Sequence, residues 1–327
     1  MKYRQFGNTG IQVSEISLGT WQLGGKWGSP YDPKTALATL ETAYEQGINF
    51  FDTADVYNDG ESEKSIGQFL KGKEGKVFVA TKAGRQITPH VSEGYTSAAI
   101  IDFTEKSLKR LGAEALDLIQ LHCPPTDVFY RPEIFKTLED LKKAGKIRHF
   151  GVSVERVEEG QKAMEYEGMA SIQVIYNMFR QRPQELLFPL ALEKGVAIIS
   201  RVPLASGLLT GKFTAKSTFG QDDHRAFNRN GEAFDKGETF SGVDYQVGLK
   251  AVEELKKLFG SDQLTNVALR WILMQNAVSC VIAGASSPDQ IRENVKASQL
   301  PELTKQQMLG VESIYKEYIK NPVHYLW

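Results

Sequence analysis

LDLIQLHCPPTDVFYRPEIFKTLEDLKKAGKIRHFGVS, from Leu116 to Ser153, reads as strand, helix and strand. LDLIQLH and IRHFGVS are short and largely apolar. They do not alternate cleanly, as expected of parallel strands covered on both faces. PEIFKTLEDLKKAG between them reads as a helix closing on Gly145, a residue that helix ends favour. A strand, a helix and a second parallel strand make the unit from which α/β sheets are built.

The same unit recurs outward in both directions. Upstream, ISLGTW precedes PKTALATLETAYEQG, NFFDTA precedes ESEKSIGQFLKG, and KVFVATK precedes TSAAIIDFTEKSLKRLG. Downstream, IRHFGVS precedes VEEGQKAMEYEG and SIQVIYN precedes PQELLFPLALEKG. VAIISRVPL precedes a long polar segment and further helices, and VSCVIAGAS precedes SPDQIRENVKA. Eight such units in about 280 residues predict a (β/α)8 TIM barrel, whose usual size is about 250 residues. A doubly wound sheet is the alternative. It would want a G-x-G-x-x-G turn after the first strand, and GTWQLGGKWGSP lacks that spacing. Outside the units, KYRQFGNTGIQVSEI reads as a β-hairpin capping the barrel floor, and extra helices are expected near the C-terminus. The reading is one barrel domain over 1–327, with 212–244 as a long lid or binding loop on the upper face.

Composition sets limits on function. The 327 residues are 41% hydrophobic and 24% charged, with a formal net charge of −1. Neither a nucleic-acid partner nor a membrane partner is indicated. MKYRQFGNTG lacks a signal-peptide core, so a cytoplasmic location is expected. The two cysteines, Cys123 and Cys280, have no metal or disulfide spacing and read as buried thiols, so no metal is expected.

Barrel active sites lie at the C-terminal ends of the strands. Asp52 ends the second strand, with Tyr57 in the loop beyond it. Lys82 ends the third and His122 the fourth. Each alone has a plain reading: a turn carboxylate, a solvated ammonium, a structural imidazole, a packing phenol. Together they suggest a general acid. A phenol has an ordinary pKa of about 10, and an ammonium beside it lowers that value. Asp52 would fix the ammonium, and His122 would orient a substrate oxygen. A proton donor of this kind suits carbonyl reduction, which also needs a hydride from a cofactor. The loop PLASGLLTGKF offers glycines, hydroxyls and Lys212 for a pyrophosphate. In GASSPDQIREN, Ser286 and Ser287 precede a helix start. The G-x-x-x-G-K spacing in the first loop is one residue short of a P-loop, and Phe213 follows where Ser or Thr would bind Mg²⁺.

FDTADVY, VATK, LIQLH, FGVS, PLASGLLTGK and GASSPDQIREN, in that order, resemble the aldo-keto reductase family over nearly the whole chain. The resemblance implies NADP(H)-dependent interconversion of carbonyls and alcohols. It implies Tyr57 as proton donor, tuned by Lys82 and Asp52, with His122 orienting the carbonyl. Thr20, Trp21 and Asp52 would lie beside the nicotinamide, and Ser153 and Gln173 at its carboxamide. Pro203, Leu204, Ser206, Gly207 and Lys212 would hold the pyrophosphate. Gly284, Ser286, Gln290 and Asn294 would surround the adenosine end.

Three departures stand out. Val154 follows Ser153 where the family has Asn. Arg201 takes the place of the ring-stacking aromatic, and its charge would favour the reduced cofactor. Ser286 stands where many members carry Arg or Lys for the 2′-phosphate, so Arg225, Arg229 or Lys212 would have to supply the charge. NADPH is therefore expected, with NADH also accepted. The substrate would be a small-molecule aldehyde or ketone, met by Trp21, Trp27, Tyr57, Phe129, the 212–244 segment and the tail NPVHYLW, in which His324 reads as structural. The alternatives are a polyol or sugar dehydrogenase working in the oxidising direction, and a non-catalytic NADPH-binding regulatory subunit. Oligomeric state is not legible.

Overall fold

The computed structural model describes residues 1–25, 29–73 and 75–327. Trp27, expected in the substrate wall, lies outside them. Eight parallel strands close into a barrel: β3 (Ile16–Gly19), β4 (Phe50–Asp52), β5 (Phe78–Ala83), β6 (Leu116–His122), β7 (Ile147–Ser153), β8 (Met169–Ile175), β9 (Ala197–Arg201) and β10 (Val278–Gly284). The last strand pairs with β3, so the sheet has no edge. The runs LDLIQLH and IRHFGVS occupy β6 and β7 without trimming. In the ring order, β3 to β8 are each followed by one helix: α1 (Pro33–Glu45), α2 (Glu61–Leu70), α3 (Ser97–Leu111), α4 (Pro132–Lys143), α5 (Val157–Ala163) and α6 (Leu187–Lys194). Between β9 and β10 come α7 (His224–Phe227), α8 (Tyr245–Phe259) and α9 (Thr265–Leu273). After β10 come α10 (Pro288–Asn294), the helix of the eighth unit, and then α11 (Lys305–Ile314) and α12 (Lys320–Val323), the expected C-terminal additions.

The helix limits follow local chemistry. Asp32 caps α1 by accepting from the Lys34 and Thr35 amides, each at 3.1 Å, and Pro33 supplies the first helical residue. Gly112 and Gly195 close α3 and α6 in the left-handed conformation.

The N-terminal hairpin forms as expected, with β1 (Tyr3–Gln5) antiparallel to β2 (Gln12–Ser14). Its connection carries Phe6 into the barrel floor. The Phe6 ring lies 5.5 Å from Phe50 and 5.6 Å from Phe78, and all three are buried. Gly7 is required beside it: φ is +52°, and a Cβ there would meet the Gly195 oxygen at 2.5 Å. With the floor sealed by phenylalanines, polar side chains collect at the opposite rim. Strand register then sets their neighbours. Asp52 pairs with Gly19 and Ala80, Lys82 with Gln120, His122 with Ser153, and Ser153 with Gln173.

Candidate active site

Asp52 and Lys82 are both buried, and the Lys82 Nζ donates to Asp52 Oδ1 at 2.5 Å. It also donates to the Thr53 carbonyl at 2.8 Å and to the Tyr57 hydroxyl at 3.3 Å. One ammonium therefore joins the carboxylate to the phenol. The second carboxylate oxygen, Asp52 Oδ2, accepts from Gln173 Nε2 at 2.7 Å and from Gln120 Nε2 at 3.4 Å. The Thr20 hydroxyl donates to the Asp52 carbonyl at 2.9 Å. The buried charge is paired and hydrogen-bonded, as a low-dielectric setting requires. Tyr57 is held over this pair by an unusual turn. Asn58 and Asp59 have φ of 49° and 53°, and Gly60 follows at 84°. Asn, Asp and Gly tolerate this left-handed backbone better than other residues.

The electrostatics correct one expectation. Burial is the largest influence on Tyr57 and raises its pKa; Lys82 pulls the other way but does not overcome it. The phenol is thus held above its ordinary value, not below. Burial also opposes the Lys82 charge, yet Asp52 and Tyr57 outweigh it and leave the ammonium's pKa raised. The His122 ring meets Tyr57 edge-on at 5.9 Å between centroids. Its pKa is driven well below the ordinary imidazole value by burial, then by Lys82, Arg85 and Arg201. The imidazole is neutral, and its buried Nδ1 makes no hydrogen bond.

A second charged group occupies the neighbouring rim. Arg201, buried at the end of β9, pairs with Glu238 and with Glu155, the latter at 2.9 Å, and donates to the Val154 carbonyl at 2.9 Å. Arg85 pairs with the other oxygen of Glu155 at 3.1 Å. The two carboxylates offset the guanidinium, which removes the basis for expecting Arg201 to select the reduced cofactor by charge. The ligand atoms of Cys123, Glu155 and Glu238 lie within 4.8 Å of one another, but Arg201 reaches all three. The Cys123 thiol is pushed up to about 12, chiefly by burial. Immediately after Arg201, Val202 has φ 50°, a strained value for a β-branched residue.

The remaining expected contacts fall on the same rim or its loops. Ser153 is buried, and its hydroxyl reaches Gln173 Oε1 at 3.5 Å. Pro203 and Leu204 lead into a 3-10 turn over Ala205–Thr210, where Ser206 and Gly207 have φ of 54° and 99°. The Ser206 hydroxyl donates to the Glu238 carbonyl and accepts from the Phe240 amide, each at 3.0 Å, tying the 212–244 segment to this turn. Lys212 is exposed. Arg225 pairs with Asp223 at 2.5 Å and lies over the Phe219 ring; Arg229 donates to the Arg225 carbonyl at 3.0 Å. Trp21 packs against His224 at 5.0 Å and Phe234 at 6.1 Å. Ser286 binds Gln290 through its amide at 2.7 Å, and Asn294 donates to the Gly284 carbonyl at 3.3 Å.

Phe129 is fully buried in the core and does not form an open wall. His324 binds the Tyr315 hydroxyl at 2.8 Å and Glu185 at 2.9 Å, away from the Tyr57 cluster. Sequence reasoning passed over Gln120, Glu155, Glu238 and Arg85. Gln120 had a readable signal, since it lies two residues before His122 on one strand and so on the same face.

The family model described as "Aldo/keto reductase family" matches residues 15–316. The chain is 32% identical to aldo-keto reductase YhdN of Bacillus subtilis, covering 99% of this chain and 96% of that one. It is 30% identical to the NADH-specific methylglyoxal reductase of Escherichia coli, covering 91% and 93%. Among solved structures, the glycerol dehydrogenase of Gluconobacter oxydans matches with a TM-score of 0.79 at 30% identity, over 99% of this chain and 98% of that one. With a closed parallel barrel, a rim of paired polar groups and matches over nearly its full length, the chain belongs to the aldo/keto reductase family.

Proposed function

We propose that the protein reduces small aldehydes or ketones at the expense of NADPH or NADH, with Tyr57 as the proton donor. The observation that carries this reading is the chain Asp52–Lys82–Tyr57, with contacts of 2.5 and 3.3 Å, at the C-terminal rim of the barrel. The donor set fits a dinucleotide. Backbone amides of the turn after β9 and the exposed Lys212 suit phosphates, and a Cβ at Gly284 would meet nothing within 4 Å. A bound reduced nicotinamide would supply the hydride.

The side chains do the rest. Burial keeps the Tyr57 phenol protonated through neutral pH, so its proton is present when a carbonyl oxygen needs one. Lys82 stands next to that oxygen and stabilises the tyrosinate left behind. Asp52, held by Gln173 and Gln120, keeps the ammonium in place. Neutral His122 offers a hydrogen bond to the substrate oxygen without competing as an acid. The 212–244 segment, tied to the turn after β9 through Ser206, would cover a cofactor bound there.

The two serines at 286 and 287 carry no charge for a 2′-phosphate, and Arg225 is already matched by Asp223. The E. coli relative is named as NADH-specific. Both observations favour acceptance of NADH beside NADPH. The test is oxidation of each reduced cofactor with a panel of small aldehydes, before and after Tyr57→Phe. Loss of a well-placed general acid lowers kcat by about 10²- to 10⁴-fold. Unchanged kcat in the variant removes Tyr57 from the chemistry. No oxidation with any aldehyde would favour the regulatory-subunit reading.

A further inference from the structure

We propose that Arg180 is the seat for an anionic group on the substrate, making this enzyme a reductase of carbonyl compounds that carry a carboxylate. The inference rests on the reductase reading above and names its substrate class.

Arg180 follows β8 on the catalytic rim, fixed by backbone bonds with Asn177 at 2.9 and 3.3 Å. It is only 2% exposed. Its Nε, Nη1 and Nη2 are buried, and none makes a hydrogen bond. The guanidinium lies 3.9 Å over the Trp327 ring. Stacking fixes the plane of the group, and its nitrogens lie buried under the Gly237 backbone without an acceptor; a planar carboxylate would supply two in parallel.

Nearby carboxylates do not fill that edge. Asp235 Oδ1 accepts from Trp327 Nε1 and from the Gly237 amide, each at 2.7 Å. Glu238 is held by Arg201, and Glu155 by Arg201 and Arg85. Among the described residues, Arg180 is therefore the one rim arginine of these three whose side chain donates no hydrogen bond. Leaving a buried charge without acceptors is costly. The site adjoins the catalytic rim through the chain itself: Gly237, where a Cβ would fall 2.1 Å from Arg180 Nη2, directly precedes Glu238, the partner of Arg201 at the end of β9. Burial, the first of several influences, draws the Arg180 pKa down to about 10, as expected of a charge lacking full compensation.

The experiment compares straight-chain aldehydes of matched length with and without a terminal carboxylate, using the enzyme with its reduced cofactor. The wild type is expected to favour the acids in kcat/KM by roughly 10- to 100-fold, the strength of hydrogen bonds to a charged group. In Arg180→Met the acid-to-neutral ratio should fall to about one, through KM, while Arg180→Lys should keep part of the preference. A structural plug on Trp327 would lower both substrates together and leave the ratio unchanged, which overturns the proposal. A wild type that treats both aldehydes alike overturns it without any variant, should Arg180→Met fail to fold. Turnover of neither aldehyde overturns the reductase reading along with it.

Discussion

Asp55 carries a prediction that needs neither cofactor nor substrate. It lies three residues beyond Asp52, buried, with its amide donating to the Lys82 carbonyl at 3.2 Å. Neither carboxylate oxygen accepts a well-formed hydrogen bond. Burial raises its pKa most, repulsion from Glu63 adds to that, and the opposing pull of Arg110 is too weak. The result is about 7, against an ordinary 3.8. Between those two values the folded protein keeps a proton that the unfolded chain has released. Stability therefore falls as pH rises through that window and is level above it.

Each pH unit in the window is worth about 1.36 kcal/mol. From about pH 5 to the folded pKa is about two units, so this one group removes roughly 2–3 kcal/mol between about pH 5 and about pH 8. Asp55→Asn cannot ionise and does not share the slope. Urea unfolding of both proteins at the two pH values isolates the effect, because other titrating groups, Glu238 included, are common to both. The variant should gain on the wild type by roughly 2–3 kcal/mol at the higher pH relative to the lower. A stability difference that is the same at both would mean Asp55 is solvated or partnered, and the reasoning would fail.

Two further outcomes follow from packing and charge. Arg201→Met leaves the largely covered Glu155 and Glu238 without their shared partner and should cost about 3–5 kcal/mol in urea unfolding, with part recovered by adding Glu155→Gln; a neutral single variant would mean the carboxylates reach water. Phe6→Ala should cost about 3–5 kcal/mol with little change in the urea m-value, and a loss under about 1 kcal/mol would show that the hairpin does not seal the floor.

The barrel was legible because its grammar is local. Apolar runs of strand length, Gly-closed helices and their alternation survive in the sequence, and the runs LDLIQLH and IRHFGVS match β6 and β7 end to end. Positions at strand ends were legible for the same reason: once a strand is placed, its end is placed, and this located Asp52 and His122 at the ends of β4 and β6 and Lys82 one residue before the end of β5, while Arg201 stood out only against the family pattern. What these residues touch across the rim was not legible. Glu238 comes from the long loop after β9, 37 residues beyond Arg201, and nothing in its surroundings marks it as a partner. Arg180 was equally silent, because the Trp327 beneath it comes from the far end of the chain.

The direction of the Tyr57 shift shows the same limit acting on chemistry. Sequence gives a phenol and an ammonium on one rim, and proximity alone argues for a lowered phenol pKa. Distance decides otherwise. Lys82 is 2.5 Å from a carboxylate oxygen and 3.3 Å from the phenol, so much of its field is cancelled by Asp52 before it reaches Tyr57. Asp52 itself acts on the phenol in the opposite sense to Lys82. Burial is then the larger influence and holds the proton on the oxygen. A group in that state is suited to give up a proton only when a developing oxyanion stands next to it, which fits a reductase whose donor remains intact until a carbonyl is reduced. Weakening the pair with Asp52→Asn would free the ammonium to act on the phenol and lower its pKa, shifting the alkaline limit of kcat downward as well as reducing its height.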